Sequence, residues 1–261
     1  MSPFTKSLAA ALIAACTAAS AAAPASPSCS ATSGPHTLPL VELYTSEGCS
    51  SCPPADRWLS RHFAGAAPVA AAVVAFHVDY WDDLGWNDRF SSHAFTERQQ
   101  HAAEANRLGF VYTPQVVVQG RSVREWRDDA PAIAALGRAT PAASIEIHAT
   151  RQGATLDVDA RASVPSARDR DGARLYVALT GDGLESAVKA GENKGATLHH
   201  DAVVRALRES RAAGAGGALA LATRFTLPGD GRAPKVVAFV QDPKRGDVLQ
   251  AVVLPVDACT P

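Results

Sequence analysis

Hydrophobic and polar positions change rhythm along the chain, and the changes mark out its elements. Leu38 to Tyr44 is a short apolar run containing Val and Tyr, which reads as a strand. Pro53 to Phe63 places Trp58, Leu59 and Phe63 on one helical face. Its prolines fall in the first turn, where a missing N–H has no intrahelical partner to lose, and Gly65 lies beyond its end. Val69 to Val78 is almost continuously apolar, as suits a strand buried on both faces. Ser92 to Leu108 predicts a second helix, capped by Ser91 or Ser92 and ended by Gly109. Val111 to Gly120 reads as a third strand entered through Thr113-Pro114, and the Gln119-Gly120 turn returns it into Ser122 to Trp126 as a hairpin. Asp128 or Asp129 then caps a third helix with Pro131 in its first turn. The order is β-α-β-α-β-β-α. Right-handed crossovers are expected to make the first three strands parallel neighbours, with the hairpin adding an antiparallel edge.

After Thr140-Pro141 the rhythm becomes alternation. Ser144 to Ala149 and Thr155 to Ala160 alternate on either side of Gln152-Gly153, which predicts a hairpin. Further strands are expected at Arg174 to Thr180, Ala218 to Leu227, Lys235 to Gln241 and Val248 to Leu254. Their spacing points to an antiparallel sandwich over residues 141–261. Before the first strand, residues 24–36 are rich in Ala, Pro and Ser and read as a linker. Residues 1–23 read as an export signal: Lys6, an apolar stretch from Leu8 to Ala15, then small residues through Ala23. Ala21-Ala22-Ala23 fits a cleavage site, and cleavage there is the favoured route. Ile13-Ala14-Ala15-Cys16 offers lipidation of Cys16 as the alternative. No stretch reads as a membrane span.

Export makes the cysteines informative. Of five, Cys16 would leave with the signal, and Cys29, Cys49, Cys52 and Cys259 would remain in an oxidising compartment. Chain ends of compact proteins tend to lie close together, so Cys29 and Cys259 are expected to form a structural disulfide. Cys49 and Cys52 form a C-x-x-C between a strand and a helix. A helix N-terminus lowers a thiol pKa through its unpaired N–H groups and dipole. Cys49 is therefore expected to be an exposed nucleophile and Cys52 its resolving thiol. Ser50 and Ser51 can hydrogen-bond a thiolate, whereas Glu47 opposes its charge. The competing readings are a structural disulfide and half a zinc site, but a zinc site wants two such pairs and the chain has a single C-x-x-C.

His77 and Asp79 end the second strand, on the sheet edge where open α/β sheets place their sites, and alternation would point both to one face. Proton management for Cys52, metal binding beside the cysteines, and a histidine satisfied by loop carboxylates such as Asp82 and Asp83 all stay open. Tyr80, Trp81 and Trp86 follow, either as a groove for a peptide or as cover for the sheet. In the second half, Gly191-Glu192-Asn193-Lys194-Gly195 precedes Leu198-His199-His200-Asp201-Ala202-Val203-Val204-Arg205. Glu192, His199, His200 and Arg205 are either a polar site facing the first domain or, the favoured reading, a turn and strand with salt bridges.

The C-x-x-C at a strand–helix junction together with Thr113-Pro114 opening a strand resembles the thioredoxin superfamily. Leu43 to Asp56 and Phe76 to Asp82 further resemble a family of secreted bacterial proteins with a thioredoxin-like domain and no established function. The Gly-Glu-Asn turn and the His-x-x-Val-Val-Arg strand extend that likeness into the second half. The resemblance implies an α/β thioredoxin-like domain over residues 37–140, followed by an all-β sandwich-like domain. It implies a cis Thr113–Pro114 bond, with Pro114 packed on the Cys49–Cys52 disulfide. The resemblance brings no established substrate; the favoured reading of the motif and the export signal is a periplasmic or secreted thiol–disulfide oxidoreductase that acts on protein thiols or disulfides, with no cofactor expected. Gly48 stands where thioredoxin has tryptophan, and Ser50-Ser51 replaces Gly-Pro, so the direction of exchange stays open. The rival class is a non-enzymatic copper- or zinc-binding or chaperone-type protein on the same scaffold. A formal net charge of −1, without a basic stripe, argues against nucleic acid as a partner.

Overall fold

The computed structural model describes residues 27–63, 70–230 and 232–259. The expected signal and Cys16 lie outside the described residues.

The chain runs β1 (Ser28–Thr32), β2 (Leu40–Thr45), α1 (Pro53–Phe63), β3 (Ala72–His77), α2 (His93–Ala105), β4 (Gln115–Val118), β5 (Arg121–Val123) and α3 (Ala130–Leu136). It continues with β6 (Ser144–Gln152), β7 (Thr155–Ser163), α4 (Ala167–Arg170), β8 (Arg174–Asp182), β9 (Leu184–Ala187), β10 (Thr197–His200), β11 (Val203–Glu209), β12 (Ala218–Thr226), β13 (Arg232–Gln241) and β14 (Val248–Pro255). The result is a mixed α/β fold dominated by strands. An eight-stranded sheet has the order β14-β13-β8-β11-β3-β2-β4-β5, a four-stranded sheet the order β1-β6-β7-β12, and β9 and β10 form a separate hairpin.

β2 and β3 are parallel, in register from Leu40–Ala72 to Thr45–His77. β4 is antiparallel to β2, which corrects the expectation of three parallel neighbours. The reason lies in the connection after α2. Asn106 ends the helix and its side chain donates to Ala102 O and Gly120 O, so the helix stops short of the expected Leu108. The chain then turns back through residues 106–114, with Tyr112 O accepting from Gln99 Nε2, and enters β4 antiparallel to β2.

Helices cover both faces of the β3-β2-β4 region. Trp58, Leu59 and Phe63 of α1 and Ile133 of α3 pack on Val41, Leu43, Val73 and Val116. Phe95 of α2 packs with Tyr44, Val74 and Phe76 on the opposite face. Every residue of β2 and β3 is buried, as their apolar runs require.

Beyond β3 the same sheet continues into the second half of the chain. β11 lies parallel to β3 at Val203–Ala75 and antiparallel to β8, and β13 and β14 follow. One layer of the expected sandwich is thus an extension of the first sheet. The other layer is the four-stranded sheet, whose alternating Ile145, Ile147, Leu156 and Val158 meet Leu175, Val177, Val236 and Ala238. Part of the expected linker is β1, paired antiparallel with β6 and joined by a Cys29–Cys259 disulfide to the end of the chain.

Candidate functional site

The site forms where β2 ends and α1 begins. Thr45, Ser46 and Glu47 are buried, and a turn closes with the Cys49 N–H donating to Ser46 O. The turn packs closely on Trp81, since a Cβ at Gly48 would lie 3.1 Å from Trp81 Cβ. Cys49 and Cys52 are joined as a disulfide with Cα atoms 5.4 Å apart. The helix follows at once, with Ala55 and Asp56 N–H groups donating to Cys52 O. Ser51 Oγ lies 3.3 Å from Cys49 Sγ and 3.5 Å from Thr113 O. The Thr113–Pro114 peptide is cis, and Trp81 Nε1 donates to Thr113 Oγ1 at 2.9 Å. Ser50 and Ser51 are exposed.

Cys49 is 0% exposed, as is Cys52. This corrects the expectation of an exposed nucleophile. The backbone of the cysteine loop is tied to the second half of the chain. Asn193 Nδ2 donates to Glu47 O at 2.8 Å and to Cys49 O at 3.0 Å, and the Ser50 N–H donates to Glu192 Oε2 at 3.0 Å.

Beneath the loop lies a buried cluster of five ionisable residues: Glu47, Asp56, His77, Asp88 and His200. His77 Nδ1 is 2.6 Å from Asp88 Oδ2. Burial pulls the His77 pKa down, but the Asp88 charge and hydrogen bond, with Asp56 and Glu47 behind them, raise it on balance. Burial pushes Asp88 up, and His77 with the backbone N–H groups of Glu47 and Phe90 brings it below the usual carboxylate range. Glu47 is likewise raised by burial but lowered on balance by His200, Ser186 and Trp86, whose Nε1 donates at 2.7 Å. Asp56 accepts from Thr45 Oγ1 at 3.0 Å, yet burial dominates and raises its pKa. His200 Nε2 stands 3.4 Å from Glu47 Oε1 and its Nδ1 3.9 Å from Asp56 Oδ2. These approaches lack hydrogen-bond geometry, and Glu47 Oε1, His77 Nε2 and both His200 nitrogens have no hydrogen-bond partner.

The structure therefore separates His77 from Asp79. β3 ends at His77, so strand alternation does not reach Asp79, which turns to the surface and binds Thr96 Oγ1 and His93 Nδ1. The carboxylate beside His77 is Asp88, not Asp82 or Asp83. Asp82 accepts from Ser91 Oγ and the Asp88 N–H, and Asp83 is exposed. Of the second-half residues, His200 and Glu192 join the site. Arg205 pairs with Asp230, and His199 pairs with Glu185 at the surface. Asp88, Asp56 and Asn193 were not singled out from sequence. An acidic residue one helical turn after Cys52 was the available signal for Asp56. Among the described residues, no group of three or more His, Cys, Asp or Glu is arranged to hold a metal ion. Nor is any helix there long and apolar enough to cross a membrane.

The fold and site define a mixed α/β protein with a disulfide held at a strand–helix junction. A family model described as "Protein of unknown function (DUF1223)" matches residues 40–241, and the chain belongs to that family. No curated protein matches. Two solved structures are similar. One is the X-ray structure of protein AGR_C_4864 from Agrobacterium tumefaciens, 24% identical, covering 84% of this chain and 94% of that one, with a TM-score of 0.57. The other is HBP35 of Porphyromonas gingivalis, 15% identical, covering 88% of this chain and 78% of that one, with a TM-score of 0.59. At these identities the likeness concerns the fold alone.

Proposed function

We propose that this protein is a thiol–disulfide oxidoreductase of the thioredoxin type, working outside the cytoplasm on protein thiols or disulfides. The observation that carries the reading is the Cys49–Cys52 disulfide at the N-terminus of α1, with Ser51 Oγ 3.3 Å from Cys49 Sγ and 3.5 Å from Thr113 O. The arrangement of parallel β2 and β3, antiparallel β4 and β5, and helices on both faces agrees with a thioredoxin-type module. Two disulfides in one chain suit an oxidising compartment.

The chemistry is exchange through a mixed disulfide. A substrate thiolate attacks Cys49 Sγ, the Cys49–Cys52 bond breaks, and Cys52 leaves as a thiolate that takes up a proton. A second substrate thiolate attacks the substrate sulfur of the mixed disulfide and expels the Cys49 thiolate. The substrate is oxidised by two electrons and the protein reduced by two, and the reverse sequence reduces a substrate. The N–H groups of the first turn of α1 stabilise the thiolate, and Ser51 Oγ at 3.3 Å adds a hydrogen bond to Cys49 Sγ. Asp56, whose carboxyl burial pushes toward the protonated form, lies one turn after Cys52 and is suited to supplying a proton there. The rival metal-binding role finds both cysteine sulfurs engaged with each other in this state.

The test is redox equilibrium of the purified protein with reduced and oxidised glutathione in chelator, quenched in acid, alkylated and read by mass. Ready exchange of the pair at a potential above about −300 mV supports the reading. A pair that stays oxidised until the protein unfolds overturns it.

A further inference from the structure

We propose that the Gly191–Gly195 turn is a removable latch over the Cys49–Cys52 disulfide, so that thiol exchange at the pair is gated by release of Asn193 and Glu192. This concerns the regulation of the site described above and rests on that reading for its biological meaning.

An attacking sulfur must reach Cys49 Sγ, and both cysteines have no exposed surface. The turn is attached to the cysteine loop by three hydrogen bonds. Two run from Asn193 Nδ2 to Glu47 O and Cys49 O, and one from the Ser50 N–H to Glu192 Oε2. Besides these, Gly191 packs against the Gly85–Trp86 backbone so closely that a Cβ there would lie 3.1 Å from Trp86 Cβ.

The turn is also built to move as a unit. It closes on itself through Lys194 N–H to Gly191 O, Ala196 N–H to Asn193 O and Gly195 N–H to Val188 O. Gly191 and Gly195 hold φ of +71° and +88°, which other residues adopt only with strain, so its shape survives detachment. It tips the β9–β10 hairpin, which belongs to neither large sheet. Gly191, Glu192, Lys194 and Gly195 are exposed, so little apolar surface opposes release. Leu184, Val188, Leu198 and His200 keep the base of the hairpin buried while the tip opens.

The experiment compares wild type with Asn193→Ala and Glu192→Ala. Each oxidised full-length protein is reduced with excess dithiothreitol, and separately with glutathione, then quenched, alkylated and read by mass at each cysteine. Removing the two Asn193 bonds is expected to speed reduction of Cys49–Cys52 about tenfold or more, and removing the single Glu192 bond about fivefold. The wild-type rate is expected to level off as dithiothreitol rises, because opening becomes limiting. Reduction of Cys29–Cys259 serves as an internal control and should not change. Equal dithiothreitol rates in all three proteins overturn the latch, as does equal acceleration of both disulfides, which reports general unfolding. If glutathione fails to exchange with any of the three while the dithiothreitol rates differ as expected, the latch stands and the oxidoreductase reading falls. If glutathione exchanges readily with wild type and variants at one rate, the reading stands and the latch falls.

Discussion

The imidazole of His200 stands edge-on to that of His77, with ring centroids 4.9 Å apart and planes at 81°. His77 ends β3 and His200 ends β10, so each half of the chain supplies one ring. Glu47 and Asp56 flank His200, and Asp88 holds His77. The cluster is buried, and several of its polar atoms have no hydrogen-bond partner in the protein. Such a group costs stability unless charges balance across it.

Replacing His200 should therefore be expensive out of proportion to its size. His200→Leu leaves the buried Glu47 carboxylate without the imidazole that faces it at 3.4 Å, and a loss of about 3–5 kcal/mol is expected on urea unfolding of the oxidised protein. His77→Leu should cost a similar amount. The double variant should lose less than the sum, with a coupling of about 0.5–3 kcal/mol. Strict additivity would mean that the two rings act independently.

The same cluster sets a pH optimum for stability. His77 is raised in the folded state, so its contribution is complete below the ordinary histidine value of about 6.5 and is lost as pH rises through the folded value. Asp56 is raised too, and works in the same direction from about pH 4 upward. Asp88 and Glu47 are lowered, so their contributions are present above the ordinary carboxylate value of about 4 and are lost as pH falls through their folded values. Urea midpoints should therefore peak at about pH 5–6 and fall on both sides. Asp88→Asn should flatten the alkaline limb. A midpoint still rising at pH 9 would contradict the assignment.

Much of this was legible in the chain, and what was not is non-local. The α1 face of Trp58, Leu59 and Phe63, and the alternation of β6 and β7, are periodic signals that packing reinforces. Partners at long range leave no such trace. Nothing in Val203-Val204-Arg205 announces that β11 lies beside β3, or that Ala202, at φ +56°, breaks what looked like one strand into β10 and β11. His200 was visible only as a histidine in a polar segment, because its partners Glu47 and Asp56 lie in the other half of the sequence. Asp79 misled for the opposite reason: strand alternation was extended two residues past the point where β3 ends.

Arg98 is a second place where the halves depend on each other. Its guanidinium binds both oxygens of the buried Glu42 at 3.1 Å and Gln241 Oε1 at 2.8 Å. It also lies 5.0–5.2 Å from the ring centres of Phe76, Tyr176 and Phe239. Arg98→Met strands the Glu42 carboxylate in the core, and a loss of about 3–5 kcal/mol is expected. Because Tyr176, Phe239 and Gln241 come from the second half, near- and far-ultraviolet circular dichroism should follow one shared unfolding transition. Two separated transitions in the wild type would show that the common sheet does not couple the halves.

The disulfide at the chain ends makes a different prediction, because it acts on the unfolded chain more than on any contact. Cys29 and Cys259 are 230 residues apart in sequence, so the bridge closes a very long loop. Loss of a native disulfide typically costs about 2–5 kcal/mol, and so long a loop belongs toward the upper end of that range. Cys29→Ala with Cys259→Ala should lower stability by that amount. The damage to the native state should stay local, since β1 is an edge strand held to β6 by five residue pairs from Ser28–Thr150 to Thr32–Glu146. Amide exchange should rise in β1 and in the facing residues of β6, while β2, β3 and the Cys49–Cys52 loop keep their protection. The reduction potential of Cys49–Cys52 should not move, because the end of the four-stranded sheet that carries Cys29 makes no part of the site. A shift of 30 mV or more, worth about 1.4 kcal/mol for a two-electron couple, would mean that β1 reaches the Cys49–Cys52 disulfide through the shared core.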